Sequence, residues 1–367
     1  MSSLYFHIPF CRSMCSYCDF RRTTDLALMD RFLECVEREI STASDFLSNR
    51  CIKTIYFGGG TPSIFSPLSL QRLIDFASQV FDCSLVEETT IEVNPDDVNE
   101  EFVSKLSDTS FNRVSIGIQS MNDELLRFMN RRHDAKQAKR AVDILSKGGF
   151  SNISTDVIFG ISGFEDTILE TLRLLGQMGV QHISAYHLSV EPGTRFALLK
   201  KKGALSEISE EESEREFSLV HNTLVDMGFD HYEISNFALG ETFRSRHNMA
   251  YWTSQPYLGF GPGAHSYDGS RIRRWSFQSV YSYVEGVRYQ SEELSSKDLV
   301  NELLMTRLRT SRGLAAFEIP EEFRSTILKS MQQFLLSGKL LQRGDYFYVP
   351  SKYYVVLDHI LSSLFIV

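Results

Sequence analysis

The sequence predicts an α/β fold of parallel βα units, and three observations carry that reading. Short β-rich runs alternate with amphipathic helical stretches over the first ~235 residues. Gly, Pro or polar capping residues punctuate the junctions between them. The chain has 367 residues, 43% of them hydrophobic and 23% charged, which suits one large domain with an appendage and a real core.

Taken in order, a first strand is expected at residues 4–8 (LYFHI), followed by a helix near 28–47. A second strand at 52–57 (IKTIYF) precedes a helix at 68–81, and a third at 89–93 (TTIEV) precedes one at 100–106. The fourth strand, 113–118 (RVSIGI), leads to a helix at 135–147, and the fifth, 153–159 (ISTDVIF), to one at 167–178. A sixth strand is expected at 182–188. Periodicity leaves open whether this sheet stays open or curls toward a barrel.

The acidic run at 207–216 reads as the solvated face of a helix continuing through 217–227. From 236 to 267 glycines, aromatics and three histidines intermingle, the texture of irregular backbone serving a site. Helical pattern returns at 299–308 and 323–336, then a short β-like run at 346–349 and a final helix. The expected division is therefore a core over 1–235, a Gly- and aromatic-rich connecting segment over 236–290, and a C-terminal domain over 291–367.

Net charge is −9, which disfavours a surface built to wrap nucleic-acid phosphate. No apolar run approaches the ~20 residues of a membrane span, and the first residues lack a signal-peptide pattern, so a cytoplasmic protein is expected. Of six cysteines, Cys11, Cys15 and Cys18 fall within eight residues, directly after the first strand. A loop at the C-terminal end of a parallel strand is where α/β folds collect ligands. Three close thiolates can hold three corners of a cubane iron–sulfur cluster and leave one iron open. The alternatives are a zinc site and chance. Structural zinc prefers four ligands in two separated pairs, and no second C-x2-C occurs in the chain.

C-x3-C-x2-C with the aromatic Tyr17 before its last Cys resembles the radical S-adenosylmethionine (SAM) superfamily. That resemblance implies a partial (β/α)6 barrel and a [4Fe-4S] cluster on Cys11, Cys15 and Cys18 whose open iron is chelated by SAM. It also implies an electron donor for the cluster. Tyr56-Phe57-Gly58-Gly59-Gly60-Thr61-Pro62 ends the second strand in glycines that let backbone approach a ligand. The run lacks Walker and Rossmann spacing. In this setting Gly59, Gly60 and Thr61 resemble the superfamily's motif for the methionine amino group.

Glu92, Gln119, Arg131 and Asp156 fall at or after successive strand ends. Each alone could be a cap or a surface charge; by resemblance to the coproporphyrinogen-oxidase-like branch each contacts SAM, Glu92 through the ribose hydroxyls and Arg131 through its planar fork. Tyr5 matches an aromatic of the same pocket.

Within the branch the chain resembles the HemW-type heme chaperones more than the oxygen-independent coproporphyrinogen III oxidases. Those oxidases carry a further Cys two residues after the last cluster ligand, where this chain has Phe20, and an N-terminal extension ahead of a first strand that here begins near residue 4. His247-Asn248-Met249-Ala250-Tyr251-Trp252 reproduces the H-N-x-x-Y-W motif for which heme binding has been proposed in the HemW type. His247 could equally be a histidine satisfied by local packing; His187 and His265 are other candidate heme ligands, to which the resemblance gives structural or pocket-lining roles. An imidazole can ligate heme iron and the two aromatics offer flat apolar area. The resemblance implies a carrier that hands heme to an acceptor, including one at a membrane surface, with SAM cleavage open. The alternative is an oxidase that decarboxylates two propionates of coproporphyrinogen III; a radical SAM enzyme with an unrelated substrate is a third.

Overall fold

A computed structural model describes residues 1–367. Six parallel strands form its centre: β1 (Ser2–Ile8), β2 (Ile52–Gly59), β3 (Glu88–Val93), β4 (Arg113–Gln119), β5 (Ile153–Phe159) and β6 (His182–His187). They stand where the sequence puts them: β1 to β4 run one or two residues longer than expected, β5 matches, and β6 ends one residue earlier. Each crossover carries a helix, and the helix Ala135–Lys147 matches its expected limits. Asp134 accepts from the Gln137 N–H while the Gln137 side chain accepts from the Asp134 N–H, a reciprocal cap that fixes where the helix begins.

Six further strands lengthen the sheet at both edges. β7 (Asp230–Glu233) and β8 (Asn236–Ala238) join β6, while β9 (Tyr257–Phe260) pairs parallel to β1 and is followed outward by β10 (His265–Tyr267), β11 (Ile272–Ser276) and β12 (Tyr289–Glu293). The order is β12-β11-β10-β9-β1-β2-β3-β4-β5-β6-β8-β7, an open arc whose edges are β12 and β7. The fold is thus a partial (β/α)6 barrel with antiparallel extensions. Within the segment expected to be irregular, 236–267, residues 236–238, 257–260 and 265–267 are strand instead, because short runs there pair onto the edges at β6 and β1.

The strands alternate in the usual two-residue period. On β1, Leu4, Phe6 and Ile8 face the helices and are fully buried, and Phe6 stacks on Phe57 with centroids 4.4 Å apart. Tyr5 and His7 face the concave side. A separate apolar cluster, including Leu304, Ile327, Met331, Phe347 and Ile360, organises the C-terminal part around helices Ser296–Leu308, Glu321–Leu336 and Leu357–Leu364 and a three-stranded sheet. No helix is long and apolar enough to cross a membrane.

Two buried carboxylates tie the extensions down. Glu216, inside the acidic run, is not solvated: it is 1% exposed and accepts the Gly160 N–H at 2.7 Å. Glu39, on the helix Met29–Thr42, accepts from the Tyr283 and Tyr289 hydroxyls and from the Gly261 N–H. Burial pushes its carboxyl up against those stabilising donors. Each stranded buried donor costs ~1–3 kcal/mol. Glu39→Ala is therefore expected to destabilise the protein by about 3 kcal/mol or more by denaturant unfolding; a change inside half a kilocalorie would contradict its role as the pin of the β9–β12 extension.

Candidate functional site

The loop after β1 is held mainly through its backbone, with a side-chain bond from the Ser16 hydroxyl to Phe128 O at 3.2 Å. The Cys11 N–H donates to Thr23 O at 3.0 Å, the Ser16 N–H to Met129 O at 2.9 Å, and the Asn130 side chain to Met14 O at 2.7 Å. The Phe196 N–H donates back to Ser16 O at 2.9 Å. Segments following β4 and β6 therefore clamp the loop, and Cys11, Cys15 and Cys18 open on one cavity of about 320 Å³ at the C-terminal ends of the strands.

No three His, Cys, Asp or Glu side chains converge on a point that would hold a single metal ion. A cubane offers its irons at separate corners, so thiolates around it stand wider apart than ligands round one ion. This arrangement thus fits a cluster better than a mononuclear zinc. Two neighbours meet the sulfurs: the Thr61 hydroxyl lies 3.5 Å from the Cys11 Sγ, and Arg131 Nη1 lies 3.3 Å from the Cys15 Sγ. Burial pushes the Cys11 and Cys18 thiols up, Thr61 opposing it at Cys11 and Arg22 at Cys18. Iron binding must then release those protons.

The glycine turn closes the cavity from β2. Gly59 adopts φ +105°, and the Gly60 N–H donates to Ile8 O at 2.7 Å. A Cβ at residue 60 would lie 2.7 Å from both Ile8 O and Phe10 O, so only glycine lets β2 run this close to the cysteine loop.

Beyond the turn, Glu92 accepts from the Tyr56 hydroxyl at 2.8 Å and from the Gly59 N–H at 3.1 Å. Burial first, and then the charge of Asp156, raise its carboxyl to about 7. Asp156, raised by burial, accepts from the Ser115 hydroxyl at 3.3 Å. Gln119 has φ +67° at the bulge that ends β4, backbone strain of the kind that collects at ligand sites. The Arg131 fork is shared: Nη2 donates to Asn94 Oδ1 at 2.9 Å and to Gly117 O at 2.6 Å.

Tyr17, Gly59, Gly60, Thr61, Glu92, Gln119, Arg131 and Asp156 all line the cavity of the three cysteines. The structure adds Asn94, Arg132 and Tyr186 to that wall. Arg113, 2% exposed, lies behind that wall rather than in it, and its charge acts on Glu92 and Asp156. Arg113 opens an expected strand and carries no motif, so only tertiary packing reveals it. Strong acceptors, a shared guanidinium and closely approaching glycine backbone beside the thiols are a donor and acceptor set that fits an aminocarboxylate and a ribose next to a cluster.

Two expected residues stand elsewhere. Tyr5 lines a second cavity of about 480 Å³ on the same concave face, its hydroxyl 3.1 Å from His7 Nδ1. There it meets the helix Arg246–Trp252, which packs against the starts of β2 and β3 through Thr54 and Glu88 and contributes Tyr251 and Trp252 to the same wall. Its first turn is anchored by the Glu88 carboxylate, which accepts the N–H groups of Arg246 and His247 at 3.0 and 2.9 Å. His247 is 1% exposed and lines neither cavity. Nδ1 lies 2.8 Å from the Thr54 hydroxyl, Nε2 lies 2.9 Å from the Tyr251 hydroxyl, and the ring stacks on Tyr56 at 5.0 Å. Burial, with Arg113, lowers it to about 3, so it is neutral. Phe20, 60% exposed, lines both cavities.

Residues 5–175 match the model of the radical SAM superfamily. The heme chaperone HemW of Lactococcus lactis is 32% identical over 334 residues, covering 89% of this chain and 86% of the relative. The heme chaperone HemW of Bacillus subtilis is 33% identical over 332 residues, covering 88% and 87%. Among solved structures, coproporphyrinogen III oxidase (HemN) from Escherichia coli shares the fold, with a TM-score of 0.82 at 21% identity, over 99% of this chain and 89% of that one.

Proposed function

Because this chain belongs to the HemW family within the radical SAM superfamily, we propose that it binds heme and passes it to an acceptor protein. It does so with a [4Fe-4S] cluster on Cys11, Cys15 and Cys18 and SAM beside it. The observation that carries the proposal is the convergence of three thiols, a glycine turn and the polar groups Glu92, Gln119, Arg131 and Asp156 on one cavity, next to an aromatic second cavity.

When bound, the cluster supplies an open iron for SAM and a low-potential electron from an external donor. The chain's own residues do the rest. Gly59 and Gly60 bring bare backbone to the methionine end, and Glu92 and Asp156 accept from hydroxyl or ammonium donors. Arg131 holds a fixed positive charge beside Cys15, where its fork would meet the ligand's carboxylate. Thr61 orients toward the Cys11 sulfur. Phe20 offers a phenyl ring where the oxidases have a thiol, which removes a group that could trade a proton or hydrogen atom with a bound substrate. The carrier works in the cytoplasm and meets a membrane-bound acceptor from its surface.

Titrating ferric heme into the anaerobically reconstituted protein should give a saturable Soret band at one heme per chain, with the iron–sulfur absorbance and SAM binding retained. Heme uptake that never saturates, or that displaces the cluster, would overturn the reading.

A further inference from the structure

We propose that heme sits in the second concave cavity and that His265 ligates its iron. The inference rests on the reading of this chain as a heme binder and gives that function a place and a ligand. It starts from a census of imidazoles facing the two cavities. His7 has both ring nitrogens occupied, by the Tyr5 hydroxyl at 3.1 Å and Arg21 O at 2.9 Å. His187 is held by Leu188 O at 3.1 Å and the Ser213 hydroxyl at 2.5 Å. His247, buried outside both cavities, is held by Thr54 and Tyr251.

His265 differs from all three. It is exposed, it lines the second cavity, and neither of its nitrogens makes a hydrogen bond. Its ring is not loose, because it stacks on Trp275 across the β10–β11 pair, 5.6 Å between centroids at 15°. Partial desolvation of the ring, and then the charge of Arg273, lower its basicity, so the neutral imidazole that ligates iron is the form present at neutral pH.

The cavity around it suits a macrocycle. Its volume, about 480 Å³, falls in the range of ~300–1,000 Å³ usual for cofactor and small-molecule sites. Tyr5, Phe20, Tyr251, Trp252, Tyr257 and Tyr267 supply flat walls, and Arg21 and Arg273 supply cations for carboxylate side chains. Arg273 is now paired with Glu302 at 2.5 Å and Glu292 at 3.5 Å, so a propionate would exchange for one of those partners. Phe20 borders both cavities and puts this seat next to the cysteine loop.

His247 then becomes a positioning residue. Its bond to the Tyr251 hydroxyl holds a ring that packs edge-on against Tyr257 at 4.7 Å, so the histidine of the H-N-x-x-Y-W motif shapes the wall rather than meeting the iron.

The test is a ferric-heme titration of the reconstituted full chain, comparing wild type, His265→Ala and His247→Gln by Soret position, spin state in electron paramagnetic resonance, and affinity. For His265→Ala the affinity should fall at least as far as the ~10- to 100-fold typical of lesser changes around metal sites. Its imidazole-ligated signature should vanish and return on adding free imidazole, with the cluster absorbance unchanged. His247→Gln should weaken binding and keep the signature. A wild-type spectrum and affinity in His265→Ala, or loss of the signature in His247→Gln alone, would overturn this inference and leave heme binding standing. A wild-type chain that takes up no heme would overturn both.

Discussion

Replacing Cys11, Cys15 and Cys18 together by Ser abolishes cluster assembly and leaves the fold in place. The hydroxyl is a poor ligand for iron, and the loop is clamped by backbone bonds from Cys11, Ser16 and Thr23 and by the Asn130 side chain, none of which uses a thiol. The other cysteines offer no substitute. Cys35 is buried behind the sheet and donates to Tyr283 O, while Cys51 and Cys83 line neither concave cavity. After anaerobic reconstitution the triple variant should carry no bound iron or sulfide and show no iron–sulfur absorbance, with an unchanged far-ultraviolet circular dichroism spectrum. Retained cluster absorbance would sink the assignment of these ligands.

Glu92→Gln should separate stability from binding. The folded protein holds Glu92 at about 7 against an ordinary 4.5, burial being the main cause. Such a group costs nothing at low pH, where it is neutral folded and unfolded alike, and its penalty grows as pH rises through that window. The amide removes the penalty but loses the acceptor for the Gly59 N–H, worth ~1 kcal/mol. Because the side chain faces a cavity and keeps some contact with water, the net gain should be about 1 kcal/mol near pH 8 and absent near pH 5. SAM affinity should fall by at least ~10-fold as a charged acceptor becomes a neutral one. Equal unfolding temperatures for the two proteins at both pH values, with unchanged SAM binding, would contradict this account of the residue.

How much of this could be read beforehand differs by region. β1 to β6 were legible because each is a β-rich run bounded by caps and glycines, and the helix Ala135–Lys147 was legible to the residue through its reciprocal cap. β9 to β12 were not. They are three to five residues long, carry glycines and mixed aromatics, and are strands only because β9 finds the edge of β1, a contact some 250 residues away along the chain.

The site divides in the same way. Glu92 and Gln119 stand at the ends of β3 and β4, where the topology of a parallel sheet gathers them whatever the details of packing, whereas Asp156 lies in the middle of β5 and Arg131 beyond the helix that follows β4. Tyr5 and His247 depend on where the helix Arg246–Trp252 settles inside the arc, and no local pattern carries that. Glu216 shows the converse: an acidic run reads as solvated until one member turns inward to meet Gly160.

The most direct test of a carrier rather than an oxidase is one anaerobic incubation of the reconstituted protein with SAM, a low-potential reductant and coproporphyrinogen III, read by mass for porphyrinogen products and for SAM fragments. The account predicts an intact cluster, SAM bound or cleaved, and no change in the mass of the porphyrinogen. A loss matching two oxidative decarboxylations would make this chain an oxidase and contradict the argument built on Phe20 and the second cavity.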